Sequence, residues 1–168
     1  RQAYKAGITI TSLPGPCALV TALTLSGLST QRFAFEAFLP SEKKERDRIL
    51  EDLACETRTI ILYEAPHRLK KTLAELLEAL GDRPVAIVRE LTKIHETVLR
   101  TSLEEAVKIY ENTEPRGEYV LVIEGKTQNE IDRQKQSRWE ETGIKEHMNI
   151  YLNRGMDKKD AMKAIAKD

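Results

Sequence analysis

The sequence predicts an α/β domain, a mixed, mostly parallel sheet of about five strands flanked by helices, followed by a short helical tail. Three observations carry this expectation. First, stretches with strand spacing alternate along the chain with stretches of helical spacing. Second, Ile60-Ile61-Leu62-Tyr63-Glu64, Val85-Ala86-Ile87-Val88-Arg89-Glu90 and Tyr119-Val120-Leu121-Val122-Ile123-Glu124 are each apolar on both faces and then reach a glutamate. Such strands need covering on both sides, and strands joined by helices usually run parallel. Third, Ser12-Leu13-Pro14-Gly15-Pro16-Cys17-Ala18 separates an extended run from a helical one. Gly15 permits backbone angles closed to other residues, and Pro16 suits a first helical turn, where its absent N–H is not needed.

Taken in order, Arg1–Ala6 reads as the end of a helix closed by Gly7, and Ile8–Leu13 as a short strand. A helix follows from Pro16 to Gly27. Arg32–Leu39 alternates as a strand does, and Pro40 ends it. Ser41 is placed to cap a helix running to about Cys55, with Glu45 as the residue of capping-box chemistry. Thr59–Glu64 is a strand, and Pro66 opens a helix whose stripe is Leu69, Leu73, Leu76, Leu77 and Leu80 before Gly81 stops it. Val85–Leu91 is a strand against which Glu96–Arg100 pairs back. Ser102, with Glu105 three residues on, caps the helix Leu103–Glu111, and Glu118–Glu124 is the last strand. Residues 1–125 are thus one lobe. Residues 126–168 are a polar linker with Trp139 as its large apolar anchor, then a short helix over Lys145–Arg154 and another, capped by Asp157, over Lys158–Lys167.

Composition narrows the functions. The chain has 168 residues, 40% of them hydrophobic, enough for one domain with a real core. Its 27 basic and 27 acidic residues cancel, so no global field draws it onto nucleic acid. Its two cysteines, Cys17 and Cys55, have no metal-ligand spacing, and no metal is expected. That cysteine usage fits a reduced, cytoplasmic setting, no stretch has the length of a membrane span, and a chain opening on Arg1 reads as a piece of something longer.

In a parallel sheet, Glu64, Glu90 and Glu124 would share the carboxyl edge, where open α/β sheets bind ligands. The first-turn N–H groups from Cys17 onward would meet acceptor oxygens there. Of the two histidines considered, His67 sits in a first helical turn and His95 in a hairpin turn, and neither has the spacing of a metal site. The run Lys43-Lys44-Glu45-Arg46-Asp47-Arg48 reads as a solvated helix face, and Phe33, Phe35 and Phe38 as core.

Five ordered stretches then carry a resemblance. They are Ser12–Ala18, Arg32–Pro40, Tyr63-Glu64-Ala65-Pro66-His67-Arg68-Leu69, Arg89-Glu90-Leu91-Thr92-Lys93 with Glu96, and Gly117–Gly125. Together they resemble the carboxyl-terminal lobe of the small-subunit ribosomal RNA methyltransferases within the tetrapyrrole methylase superfamily. The resemblance implies a two-lobed homodimeric enzyme that holds S-adenosylmethionine between lobes and methylates a cytidine ribose 2′-oxygen in small-subunit ribosomal RNA. It also implies an amino-terminal lobe beyond this chain, without which residues 1–168 are expected to be inactive. By the family pattern, Gly15, Cys17, Ala18, Tyr63, Glu64, Leu91 and Thr92 are the cofactor-binding candidates, and Glu90, Lys93 and Glu96 stand at the catalytic end. Two departures matter: Cys17 replaces the usual serine, and Ala37 the usual glycine. The tail resembles the first two helices of a helix-turn-helix appendage. The alternative reading is a scaffold or dimerisation domain that binds no cofactor by itself.

Overall fold

The structure, a computed structural model, describes residues 1–133, 148, 152–153 and 155–165. A single turn, α1 (Gln2–Lys5), is followed by an extended segment and α2 (Ala18–Ser26). Then come β1 (Phe33–Ala37), α3 (Lys43–Ala54), β2 (Thr59–Glu64), α4 (Pro66–Leu80), β3 (Pro84–Arg89), β4 (Thr97–Ser102), α5 (Leu103–Glu111), β5 (Tyr119–Ile123) and, in the tail, α6 (Lys158–Ile165). Among the described residues no helix is long and apolar enough to cross a membrane.

The five strands form one mixed sheet in the order β1-β2-β5-β3-β4. It is not mostly parallel: β1 and β2 pair in parallel, whereas β2–β5, β5–β3 and β3–β4 are antiparallel. Even so, each crossover helix joins strands of like direction. β1 and β2 agree, β2 and β3 agree because both oppose β5, and β4 and β5 agree because both oppose β3. In the last two cases an opposed strand has been slotted between them. The rule that helices connect parallel strands therefore holds, while the inference that those strands are neighbours does not.

One consequence is a divided set of glutamates. Glu64 and Glu90 end β2 and β3 at the same edge, because Glu64 and Arg89 both register with Tyr119 of β5. Glu124, at the far end of β5, is at the opposite edge, where its N–H donates to Pro84 O at 2.9 Å.

The sheet is covered on both faces. Ile60, Leu62, Val85, Ile87, Leu121 and Ile123 pack one way, against the apolar stripes of α3, α4 and α5. Ile61, Ala86, Val88, Val120 and Val122 pack the other way, against Ala22 and Leu23 of α2. This is the alternation that a strand's two-residue period imposes. Helix α2 is tied down at its end by Arg100 of β4, whose Nε and Nη2 donate to Ser26 O and Leu25 O, with Gly27 closing the helix at φ 79°.

Three expectations need correction. Ile8–Leu13 is not a strand: Ile8, Ile10 and Leu13 are exposed, and β1 and β4 occupy the sheet edges without pairing to this segment. An extended run with no partner has no ladder to join. Ser41 does not cap α3, which starts at Lys43 after Glu42 with no side-chain cap. Instead Ser41 O and Pro40 O accept hydrogen bonds from Arg46 Nη1 at 3.0 and 3.2 Å. Arg46 itself is buried rather than solvated, its charge met by Glu75 at 3.0 Å. Ser102 and Asp157 do cap, accepting from Glu105 N at 3.3 Å and Asp160 N at 2.8 Å. Trp139 and most of the expected 145–154 helix lie outside the described residues.

Candidate functional site

A cleft of about 690 Å³ opens at the sheet edge where β2 and β3 end and β5 begins. The chain reaches it from four directions. The N-termini of α2 and α4 open into it, each following an extended residue, Cys17 and Ala65, that makes no side-chain cap. The turn after β3 supplies Leu91 and Thr92, and the start of β5 supplies Glu118, Tyr119 and Val120. Phe38 closes one side.

Of the seven candidates for cofactor binding, Cys17, Ala18, Tyr63, Glu64, Leu91 and Thr92 line this cleft and Gly15 does not. Tyr63 joins two elements: its hydroxyl accepts a hydrogen bond from Leu19 N of α2 at 3.2 Å, while Phe35 and Phe38 meet its ring edge-on at 4.9 and 5.7 Å. Those phenylalanines, expected in the core, are part-exposed and form an aromatic wall with Tyr63. Glu64 behaves differently from an open ligand. It is 2% exposed, and its Oε2 accepts from Thr72 Oγ1 at 2.5 Å while Oε1 accepts from Ala65 N at 2.8 Å. Arg68 Nε stands 3.7 Å away. The carboxylate therefore fastens the β2–α4 turn from beneath the cleft floor.

Glu90, Lys93 and Glu96 stand behind the Leu91-Thr92 turn rather than in the cleft wall. The turn is conformationally demanding, with Glu90 at φ 50° and Thr92 at φ 63°, left-handed values costly for residues with a side chain. It is held by its own acids. Glu96 Oε2 accepts from Thr92 N at 2.6 Å, and Glu90 Oε1 accepts from Glu118 N at 2.9 Å and from Lys93 Nζ at 3.1 Å. Glu90 N in turn donates to Glu118 O at 2.9 Å. The Glu118 amide, and secondarily Lys93, holds the Glu90 carboxyl below its ordinary range; Glu118 and then Glu90 hold the Lys93 amine above its own.

Several lining residues were not singled out in the sequence. Thr21 lies one helical turn after Cys17, Glu118 follows the Gly117 bend, and Tyr119 opens β5. His67, read as a structural first-turn residue, is exposed and lines the cleft, while His95 lies in the β3–β4 turn away from it.

Residues 1–107 match the profile of the family described as Tetrapyrrole (Corrin/Porphyrin) Methylases. The chain is 43% identical over 159 residues to the ribosomal RNA small subunit methyltransferase I of Bacillus subtilis, covering 95% of this chain and 54% of that protein. It is 43% identical over 167 residues to the protein of the same name from Halalkalibacterium halodurans, covering 99% and 57%. The chain thus spans about half the length of the curated relatives it matches. Among solved structures, the methyltransferase CobJ superimposes with a TM-score of 0.56 at 18% identity, over 73% of this chain and 53% of that one. A uroporphyrin III C-methyl transferase from Thermus thermophilus gives 0.50 at 19% identity, over 73% and 53%. At such identities these two are likenesses of fold.

Proposed function

The chain belongs to the tetrapyrrole methylase family, and we propose that it is the lobe completing the S-adenosylmethionine cleft of an enzyme that methylates a cytidine ribose 2′-oxygen in small-subunit ribosomal RNA. The observation that carries this reading is convergence: Cys17, Ala18, Tyr63, Leu91 and Thr92, from three separate segments, line one cleft. Its relatives' names supply the RNA substrate, and the tetrapyrrole methylase profile supplies methyl transfer.

The residues fit such a cofactor. A volume of about 690 Å³ is in the range of small-molecule sites, and the lining combines apolar surface from Phe38, Leu91 and Val120 with a few polar groups. S-adenosylmethionine would supply an electrophilic methyl, so the protein's task is alignment. Cys17 and Ala18 bring the first turn of α2 to the cleft, where amides without intrahelical acceptors can meet oxygen atoms. Tyr63 fixes that helix end against the aromatic wall. Glu90 and Glu96 hold the Leu91-Thr92 turn in its left-handed shape, which sets the depth of the opposite wall. The family's cytoplasmic, homodimeric assembly belongs to the same reading, as does a tail appended after residue 125.

Two measurements test it. S-adenosylhomocysteine is titrated into this chain and into a form extended by an amino-terminal lobe to its relatives' length. Methyl transfer to small ribosomal subunits is then followed with labelled cofactor. The extended form should bind tightly and modify a cytidine ribose, while this chain alone shows no transfer, since misplacement by about 1 Å already costs roughly a hundredfold. Failure of the extended form to bind the cofactor product would refute the reading. Sedimentation of that form as a strict monomer would remove the dimer from it.

A further inference from the structure

The cleft wall opposite α2 ends in a carboxylate, Glu118, that is not among the site candidates read from the sequence. Glu118 immediately precedes β5 and lines the cleft, yet its side chain is 83% exposed. A glutamate so open to water ordinarily samples several rotamers, and ordering it costs entropy. Here that ordering is supplied by a neighbour. Lys93 Nζ donates to Glu118 Oε2 at 3.0 Å and to Glu90 Oε1 at 3.1 Å. Glu90 is the fixed member, with a side chain 19% exposed and its Oε1 also taken by the Glu118 N–H. The lysine therefore ties a loose carboxylate at the cleft to an anchored one behind it.

The remaining valence points outward. Glu118 Oε1 has no hydrogen-bond partner among the described residues. Lys93 is shared between the two carboxylates, Arg89 acts on Glu90, and Glu96, the next acid on the turn, is committed to Thr92 N. The open Glu118 oxygen is an anionic acceptor, which favours a positively charged or hydrogen-bond-donating group.

We propose that Glu118 is a ligand-binding residue of the cleft, accepting a hydrogen bond from a donor of the bound cofactor, and that Lys93 is the positioning residue that aims it. The donor is the cofactor's ammonium or a hydroxyl of its ribose. This rests on the S-adenosylmethionine reading above.

The experiment measures calorimetric affinity of the extended two-lobed form for S-adenosylhomocysteine and for 5′-methylthioadenosine, which lacks the amino-acid end. The variants are Glu118→Gln, Lys93→Met, Lys93→Arg and the double change Glu118→Gln with Lys93→Met. Loss of a charge-assisted hydrogen bond should weaken S-adenosylhomocysteine about tenfold or more in Glu118→Gln. Lys93→Met should lose a smaller factor, and Lys93→Arg should recover most of it. The double variant should bind no more weakly than Glu118→Gln alone, because a residue acting through another adds nothing once that other is gone. If the Glu118→Gln loss persists with methylthioadenosine, the donor is on the ribose; if it vanishes, the donor is the ammonium. Wild-type binding with an unaffected Glu118→Gln overturns the proposal and leaves the cofactor reading standing. Additive losses in the double variant overturn the positioning role. No wild-type binding of either compound removes both this inference and the function on which it rests.

Discussion

Gly117 and Glu90 leave each other no room for one more atom. A Cβ built on Gly117 falls 2.5 Å from Glu90 Oε1 and 2.6 Å from its Cδ, and the glycine sits at φ 86°. The close approach lets the Glu118 amide reach the Glu90 carboxylate at 2.9 Å. Gly117→Ala should therefore strain its own backbone and push Glu90 away from its partners. A loss of about 1–3 kcal/mol is expected in denaturant unfolding. Wild-type stability in that variant would mean the two residues separate easily.

Ala37 offers the reverse case. It stands at φ 55°, next to the register shift that separates Phe35 from Ala37 in the β1–β2 pairing. A left-handed alanine costs roughly 1–2 kcal/mol, against roughly 0.5–1 kcal/mol of extra backbone freedom lost by glycine. Ala37→Gly should stabilise the protein slightly, read as a small rise in melting temperature. A fall would show that the bulge is shaped by packing of the methyl.

Glu64 depends on a donor eight residues away. Thr72 Oγ1 reaches its Oε2 at 2.5 Å in a buried setting. Thr72→Val keeps the shape and removes that donor, so about 1–3 kcal/mol should be lost. Because α4 would start less firmly, amide exchange at Ala65 and His67 should also quicken.

Acid stability carries one readable signature. Arg58 holds the Glu56 carboxyl down, from 4.5 to about 2, through hydrogen bonds from both Nε and Nη2 at 3.0 and 2.6 Å. A carboxyl lowered in the folded state stabilises above its unfolded value and loses that contribution as pH falls from 4.5 through about 2. Glu56→Gln should flatten this part of the stability profile while leaving the region above pH 6 parallel to wild type.

Cys17 lies at the cleft mouth with its side chain exposed. In the extended form, Cys17→Trp should abolish measurable S-adenosylhomocysteine binding by filling the space, whereas Cys17→Ser should bind as wild type or better. Equal binding by the tryptophan variant would move the cofactor elsewhere.

The order of elements was legible because the chain punctuates itself. Pro66 starts α4, Gly81 ends it, and Ser102 caps α5 as its sequence says. Much of the cleft lining was legible as well, since Cys17, Ala18, Tyr63, Glu64, Leu91 and Thr92 fall next to such breaks. What stayed hidden is non-local. Nothing in Tyr119–Ile123 announces that it will enter between β2 and β3, so Glu124 was assigned to the wrong edge. Ile8–Leu13 has a strand's pattern whether or not a neighbour exists to pair with it. Arg46 has the same charge as Lys43 and Lys44, and only the approach of Glu75 from α4 decides that it is buried. Glu118 was obscured by the apolar strand it precedes, because its role comes from Lys93, twenty-five residues earlier.

The last strand among the described residues occupies the middle of the sheet. Until β5 has left the ribosome, β1–β2 and β3–β4 are two separate ribbons, each with an open backbone edge where β5 will pair. Neither the Ile60–Leu62 nor the Val85–Val88 segment can complete its hydrogen-bond ladder before then. A nascent chain stalled near residue 115 is thus exposed to self-association. Synthesis beyond Gly125 supplies the one strand that joins both halves, so the commitment to a native core is deferred to the closing stage of translation of this lobe.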